Sequence, residues 1–161
     1  MSRSFYLDLF SSLARHDVRY LLVGGLAMNL YGVPRMTMDV DILLALNDAN
    51  LKHFFAVAAE LKLRPVLPVP LQELADPSKR QHWVKERKLI AFALQYENRA
   101  APSLDVLIGV ELAFDEAYPR RNTRLVGDVP ISLAAMEDII TLKTLAGRAQ
   151  DLADIEHLRR L

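Results

Sequence analysis

Apolar residues recur at two different periods along this chain, and the switch between them outlines its elements. Tyr6, Leu9, Phe10 and Leu13 fall at i, i+3, i+4 and i+7, the spacing of an amphipathic helix, so the chain is predicted to open with one. Tyr20-Leu21-Leu22-Val23 is a short, wholly apolar run that stops at Gly24-Gly25 and reads as a buried strand. Leu26 to Tyr31 covers a helical turn or two, closed by Gly32-Val33-Pro34. From Met38 to Leu44 the period becomes two, with Met38, Val40 and Ile42 on one face and Asp39 and Asp41 on the other.

Asn47-Asp48 offers a cap for a further helix, whose apolar stripe is Leu51, Phe54, Phe55, Ala58 and Leu61. Pro65, Pro68 and Pro70 make the next stretch extended, and residues 71–88 are polar without a clear period. Leu89 to Tyr96 and Leu104 to Ile108 read as two strands around a loop, a hairpin pattern. A short helix near 113–118, a strand pair around 124–131 and two helices at about 133–147 and 150–160 complete the chain. Strands interleaved with helices predict an α/β (α+β) class: a small mixed β-sheet flanked by helices. At 161 residues the expectation is one domain, 1–161, ending in the helix pair at about 133–160.

Composition narrows the chemistry. With 52% hydrophobic and 25% charged residues the chain is globular and not disordered. Twenty Lys+Arg balance twenty Asp+Glu, which argues against a surface that grips nucleic acid everywhere. The absence of cysteine excludes a disulfide framework, a thiolate zinc site and a Cys nucleophile. His16, His53, His82 and His157 lack ligand-like spacing. The N-terminus shows no secretory pattern, and no apolar run approaches the ~18 residues of a membrane span. The expected setting is the cytoplasm, without membrane association.

The chemistry concentrates around Gly24-Gly25, separated by thirteen residues from Asp39-Val40-Asp41. Carboxylates at i and i+2 of a strand share a face, roughly 7 Å apart at Cα. Two like charges there are unfavourable unless something positive sits between them. A hard divalent cation suits them, since Mg²⁺ takes carboxylate oxygens and bridges to substrate phosphates. Two such ions about 3.5–4 Å apart support in-line nucleotidyl displacement. A strand running into two glycines and a helix exposes backbone N–H groups to a phosphate. Either feature alone has an ordinary reading, a tight turn for Gly-Gly and a solvated strand edge for Asp-x-Asp. Their combination at strand ends points to phosphate chemistry.

Leu22-Val-Gly-Gly-Leu-Ala27 followed by Gly32-Val-Pro-Arg-Met-Thr-Met-Asp-Val-Asp-Ile42 resembles the signature of the polymerase-β-like nucleotidyltransferase superfamily. It is most similar to the minimal bacterial branch that includes AbiEii-type toxin nucleotidyltransferases. Many superfamily members have Gly-Ser where this chain has Gly24-Gly25, so no serine hydroxyl serves a phosphate at that point. The resemblance implies the polymerase-β-like fold and a third acid on a neighbouring strand, which Asp105 matches. Leu104, Val106 and Ile108 face one way there, and Asp105 faces the other. A buried Asp needs a partner, and Asp105 would complete the metal set or act as general base for an attacking hydroxyl.

A helical wheel puts Lys143 amid Met136, Ile139, Ile140 and Gly147, opposite Glu137, Thr141, Thr144 and Arg148. A lysine centred on an apolar face either snorkels to solvent or meets an anion; the second reading is favoured, with a triphosphate or an acidic cluster as that anion. The resemblance implies a nucleotide-contacting lysine on this helix. Asp151 and Asp154 fall within or beside the stripe Leu152, Ile155, Leu158 and Leu161, and Asp151 also suits a first-turn acid. Arg148-Ala-Gln-Asp-Leu-Ala-Asp154 matches an Arg-x-x-Asp-x-x-Asp-like run of the relatives, which implies that Arg148, Asp151 and Asp154 support Lys143 from behind and are not metal ligands. Arg35 and Thr37 precede the carboxylates on one approach, where Arg35 either contacts a phosphate or is a surface side chain.

Residues 79–88 hold five basic residues, one acid and the sole Trp83. They form either a nucleic-acid grip with a stacking ring or a solvated helix face with one anchoring aromatic. The expected function is Mg²⁺- (or Mn²⁺-) dependent transfer of an NMP from an NTP to an unidentified acceptor, with a lean to RNA over a protein or small molecule. Asp39, Asp41 and Asp105 would hold metal, and Gly24, Gly25, Arg35, Thr37 and Lys143 would bind nucleotide. A toxin role, with an antitoxin partner or a homo-oligomer, accompanies the resemblance. The alternative is a catalytically idle nucleotide-binding or toxin–antitoxin interaction module.

Overall fold

The two hydrophobic periods become two kinds of layer: seven strands in one twisted sheet, and helices laid against it. A computed structural model describes residues 2–98 and 100–161. The helices are α1 (Ser2–Arg15), α2 (Gly24–Leu30), α3 (Asp48–Leu61), α4 (Pro77–Glu86), α5 (Phe114–Ala117), α6 (Met136–Ala146) and α7 (Ala149–Arg159). The strands are β1 (Tyr20–Val23), β2 (Val40–Leu44), β3 (Arg64–Pro65), β4 (Ala91–Gln95), β5 (Leu104–Leu107), β6 (Asn122–Val126) and β7 (Val129–Leu133). Their spatial order is β3-β4-β5-β2-β1-β7-β6. β1–β7 and β2–β5 are parallel, and the other neighbours are antiparallel, so the sheet is mixed as the patterning predicts.

The central strands carry the core. Leu21 and Leu22 of β1, Val40 and Ile42 of β2, Leu104 and Val106 of β5 and Phe92 and Leu94 of β4 are buried. They pack with Leu9, Phe10 and Leu13 of α1 and with Leu51 and Phe54 of α3. Each such side chain contributes about 1.5–3 kcal/mol of transfer free energy. One buried polar residue serves as a pin: the Asn50 amide donates to the carbonyls of Arg19 and Ala45 and accepts from Arg19 N–H, while Asn47 caps α3 by accepting from Asn50 N–H. The predicted cap and stripe of that helix are both present.

Three boundaries differ from the sequence reading. β2 begins at Val40 and not at Met38, because Met36 and Met38 are 97% and 60% exposed and the Met38 carbonyl accepts from the Tyr6 hydroxyl where a ladder partner would stand. α2 starts at Gly24 itself. The polar stretch 71–88 resolves into a 3₁₀ turn, Leu71–Ala75, and α4. Asp76 caps α4 by accepting from Ser78 and Lys79 N–H, with Pro77 in the first turn. Trp83 is the one side chain of α4 that is buried, so the helix has almost no apolar stripe to betray it.

Candidate active site

The register of the sheet builds the centre. Val23 at the end of β1 pairs with Asp41 on β2, and Asp41 pairs with Asp105 on β5. Three adjacent strands therefore bring Gly24, Asp41 and Asp105 together at one edge. Gly24 has φ +74°, and a Cβ there would lie 2.2 Å from Asp41 Oδ2. The backbone thus approaches the carboxylate in a way only glycine permits. A Cβ on Gly25 would lie 2.8 Å from Thr37 Oγ1. The second glycine therefore leaves room for the segment that leads into Asp39. α2 has seven residues, so what the pair offers a ligand is backbone N–H groups at close range.

Ser103 organises the carboxylates from the β5 side. Its N–H donates to Asp39 Oδ1 at 3.2 Å, and its hydroxyl donates to Asp105 Oδ1 at 3.0 Å. Asp39 sits just outside β2 and is exposed. Asp41 is pushed up to about 7, first by burial, then by the charge and hydrogen bond of Asp105 and the charge of Asp39, against the opposing pull of Lys143. Burial also raises Asp105, with Asp39 adding to the rise while the hydrogen bonds of Ser103 and Asp41 oppose it. These are the marks of negative charge that lacks a counter-ion. Among the described residues no group of three His, Asp or Glu side chains is placed so that all three could hold one metal ion. The arrangement suits a hard cation that takes one or two carboxylates and completes its shell with water and phosphate.

Beside this row lies a cavity of about 300 Å³, lined by Gly24, Asp41, Lys143, Arg148 and Asp151 on its polar side and by Ile90, Leu107, Val110, Ile139 and Leu142 on its apolar side. A larger cavity of about 510 Å³ lies at the opposite end of β1, around Tyr20, Asn50 and Ser132, remote from the carboxylates. A charged rim, an apolar wall and a glycine approach next to perturbed carboxylates form a chemical combination that suits a nucleotide.

The family described as "Nucleotidyl transferase AbiEii toxin, Type IV TA system" matches residues 7–160. The chain belongs to that family. No curated protein sequence matches it. Among solved structures, this AbiEii-family nucleotidyltransferase is similar to the antibiotic-resistance factor ANT(2'')-Ia, with a TM-score of 0.60 at 13% identity over 98% of this chain and 84% of the other. It is also similar to the lincosamide antibiotic adenylyltransferase LnuA in its lincomycin-bound form, with a TM-score of 0.58 at 16% identity over 98% and 94%. At such identities these likenesses bear on fold, and the seven-stranded mixed sheet is that of polymerase-β-like nucleotidyltransferases.

In the AbiEii-family chain the Lys143 side chain does not snorkel. It is buried, its ammonium donates to Asp154 Oδ2 at 2.8 Å, and Asp151 Oδ1 lies 3.8 Å away. Asp154 also accepts from Gln150 Nε2 at 2.9 Å and pairs with Arg35. Burial would raise Asp154, but the hydrogen bonds of Lys143 and Gln150 and the charges of Lys143 and Arg35 hold it below the usual carboxylate range. Asp151 is held low first by the Arg148 hydrogen bond, against burial. It closes a capping box with Arg148, whose backbone N–H it accepts at 3.2 Å. Arg35 is thus neither a free surface side chain nor an isolated phosphate ligand: Asp154 ties the segment that carries Thr37 and Asp39 to α7.

Sequence reasoning missed Ser103 and Tyr6. Ser103 stands two residues before Asp105 and carries no motif, and its role exists only because β5 lies beside β2. Tyr6 reads as a core position of α1, yet its hydroxyl reaches across to Met38. Burial and the nearby Asp39 both raise that hydroxyl. Trp83 is 5% exposed and stacks obliquely on Phe92 at 5.3 Å. It anchors α4, while Lys85, Arg87 and Lys88 remain exposed.

Proposed function

We propose that this AbiEii-family nucleotidyltransferase moves a nucleoside monophosphate from an NTP to a hydroxyl acceptor and releases pyrophosphate, with Mg²⁺ or Mn²⁺ as the metal. The observation that carries the reading is the register row in which Asp41 and Asp105 stand side by side against Gly24, both raised by burial and by neighbouring charge. Asp39, Asp41 and Asp105 are the residues that would hold the metal, which when bound supplies charge neutralisation and Lewis-acid activation at the phosphates.

The remaining work falls to the chain itself. Backbone N–H groups at Gly24 and Gly25 bind phosphate oxygens. Lys143 faces the same cavity as Asp41 and offsets charge on the leaving pyrophosphate. Asp151 and Asp154 orient that ammonium and hold Arg148 and Arg35, and Thr37 packs behind Gly25. Asp105, kept in place by Ser103, accepts the acceptor's proton as its oxygen bonds to the α-phosphorus and the bond to the β-phosphate oxygen breaks. The apolar wall of Leu107, Ile139 and Leu142 shelters the nucleoside.

The family description supports a toxin role with an antitoxin partner. The exposed Lys85, Arg87 and Lys88 favour RNA as the acceptor. Two structurally similar proteins carry antibiotics, as adenylyl-2''-tobramycin with ANT(2'')-Ia and lincomycin with LnuA, so small molecules belong in the same assay. No helix is long and apolar enough to cross a membrane among the described residues, which is compatible with cytoplasmic action by one domain spanning 1–161. The test is incubation with each α-labelled NTP and Mg²⁺, with total RNA or a small-molecule extract as acceptor. Label should pass to one acceptor class and vanish with Asp39→Asn, Asp41→Asn or chelator. An intact nucleotide site that binds Mg²⁺·NTP yet labels nothing would leave the idle binding module instead.

A further inference from the structure

Asp39 is the least restrained of the three carboxylates. Asp41 lies within β2 against Gly24, and Asp105 lies within β5. Asp39 stands one residue ahead of β2, next to the exposed Met38, and is exposed itself. Asp41 and Asp105 are register partners, so a third negative charge beside them is repelled. A carboxylate on an open segment answers such repulsion by turning away into water. Among the described residues the one hydrogen bond that the Asp39 carboxylate accepts comes from Ser103 N–H, at 3.2 Å.

Ser103 holds both outer acids at once. The ring of Pro102 fixes φ at the preceding position, and the Ser103 carbonyl accepts from Val40 N–H at 3.0 Å. That bond locks Ser103 against the first residue of β2. Its N–H then reaches Asp39 Oδ1, and its hydroxyl donates to Asp105 Oδ1 at 3.0 Å. The amide, the carbonyl and the hydroxyl of one residue are thus all engaged on β2 and on two carboxylates. Each aspartate has one oxygen fixed by a donor and keeps its second oxygen for another partner. Ser103 is not among the residues that line the nucleotide cavity, so its influence on the reaction passes through the aspartates.

We infer that Ser103 is a positioning residue of the metal site: it holds Asp39 and Asp105 converged before the cation arrives and thereby sets the affinity for the divalent ion. This rests on the metal-dependent reading proposed above. Carboxylates that are already oriented lose less rotational freedom on binding, and the groups that hydrogen-bond a metal's ligands change its affinity about 10–100-fold when removed. Ser103→Ala removes the hydroxyl and keeps the backbone N–H on Asp39, so its effect belongs at the lower end of that range.

The test is titration of the full chain with Mn²⁺ alone, without nucleotide, with free Mn²⁺ read by electron paramagnetic resonance. Four proteins are compared: wild type, Ser103→Ala, Ser103→Thr and Ser103→Val. Thr and Val have nearly the same shape, and only Thr keeps the hydroxyl. Mn²⁺ affinity should fall about tenfold in Ser103→Ala and Ser103→Val and stay within about twofold of wild type in Ser103→Thr. Melting temperatures of the metal-free proteins should agree between Thr and Val, which separates positioning from support of the fold. Unchanged Mn²⁺ affinity in both Ala and Val, or equal losses in Thr and Val, would overturn the role of the hydroxyl. A metal-free melting temperature that falls in step with Mn²⁺ affinity would make Ser103 a structural residue and overturn it too. A wild type that takes up no Mn²⁺ would instead strike the metal-dependent reading itself, and this inference with it.

Discussion

A Cβ on Gly24 would overlap the Asp41 carboxylate, 2.2 Å from Oδ2 and 2.9 Å from Cγ. The first glycine and the buried aspartate are therefore one feature: the strand can end in contact with the acid only because residue 24 has no side chain.

Gly24→Ala should consequently do two separate things. Its φ of +74° costs about 1–2 kcal/mol for any L side chain, and the methyl group must also displace Asp41. Nucleotidyl transfer should fall at least about 100-fold, the scale of a misplaced reacting group. Gly32→Ala is the control, since φ is +98° there but nothing lies within 4 Å of the added Cβ. It should lower the melting temperature and spare transfer. Melting curves and single-turnover assays of both variants check this, and equal loss of transfer would remove the steric link to Asp41.

The raised Asp41 makes stability depend on pH in a defined direction. Its folded value is about 7 against an ordinary 3.8, so between those limits the folded state binds the extra proton. Stability must then fall as pH rises through that window and stay low above it. Asp41→Asn abolishes this term. The variant should match the wild type near pH 4 and exceed it by up to about 4 kcal/mol at pH 8. Mg²⁺ at pH 8 should stabilise the wild type and leave the variant unmoved. Urea denaturation at both pH values, with and without the metal, reads all four quantities. A variant less stable at pH 8 would mean that the carboxylate itself supports the fold.

Asp154 and Lys143 form a buried pair, and removing one charge strands the other. Asp154→Asn should destabilise the protein by about 3–5 kcal/mol, while Lys143→Met combined with Asp154→Asn should recover much of that. Because Asp154 is held below the usual carboxylate range, its contribution is present at neutral pH and lost as pH falls through the lowered value. Lys143→Met alone should weaken Mg²⁺·NTP binding by about 1.5–3 kcal/mol, the scale of a hydrogen bond to a charged group. Calorimetric titration decides this, and unchanged affinity would make Lys143 solely a strap between α6 and α7.

Much of this protein is legible in one dimension. Period-3.6 stripes in α1 and α3 and the apolar run of β1 specify buried faces directly, because burial of those residues dominates the local free energy. Gly24-Gly25 and Asp39-x-Asp41 stand out by residue type and spacing, and Lys143 on its apolar wheel favours an anion over snorkelling. α4 was hidden because it buries only Trp83, so cap chemistry at Asp76-Pro77 defines it and not periodicity. Met38 reads as an inward strand residue by alternation, yet it is exposed because the ladder begins two residues later.

What the sequence determined by itself is most of the elements and the kinds of residue at their ends. Only the tertiary structure decided which of those ends meet. Asp41 neighbours Asp105 because β2 and β5 lie parallel in register, a pairing of residues 64 positions apart that no local pattern encodes. Ser103 becomes a ligand of two aspartates by the same pairing. Lys143 calls for an anion on the wheel, and the fold brings Asp154 to it because α7 packs back on α6 after Gly147 takes a left-handed φ of 65°. Non-local contacts of this kind follow from how hydrophobic faces close on one another across the sheet, and a periodicity along the chain carries no record of it.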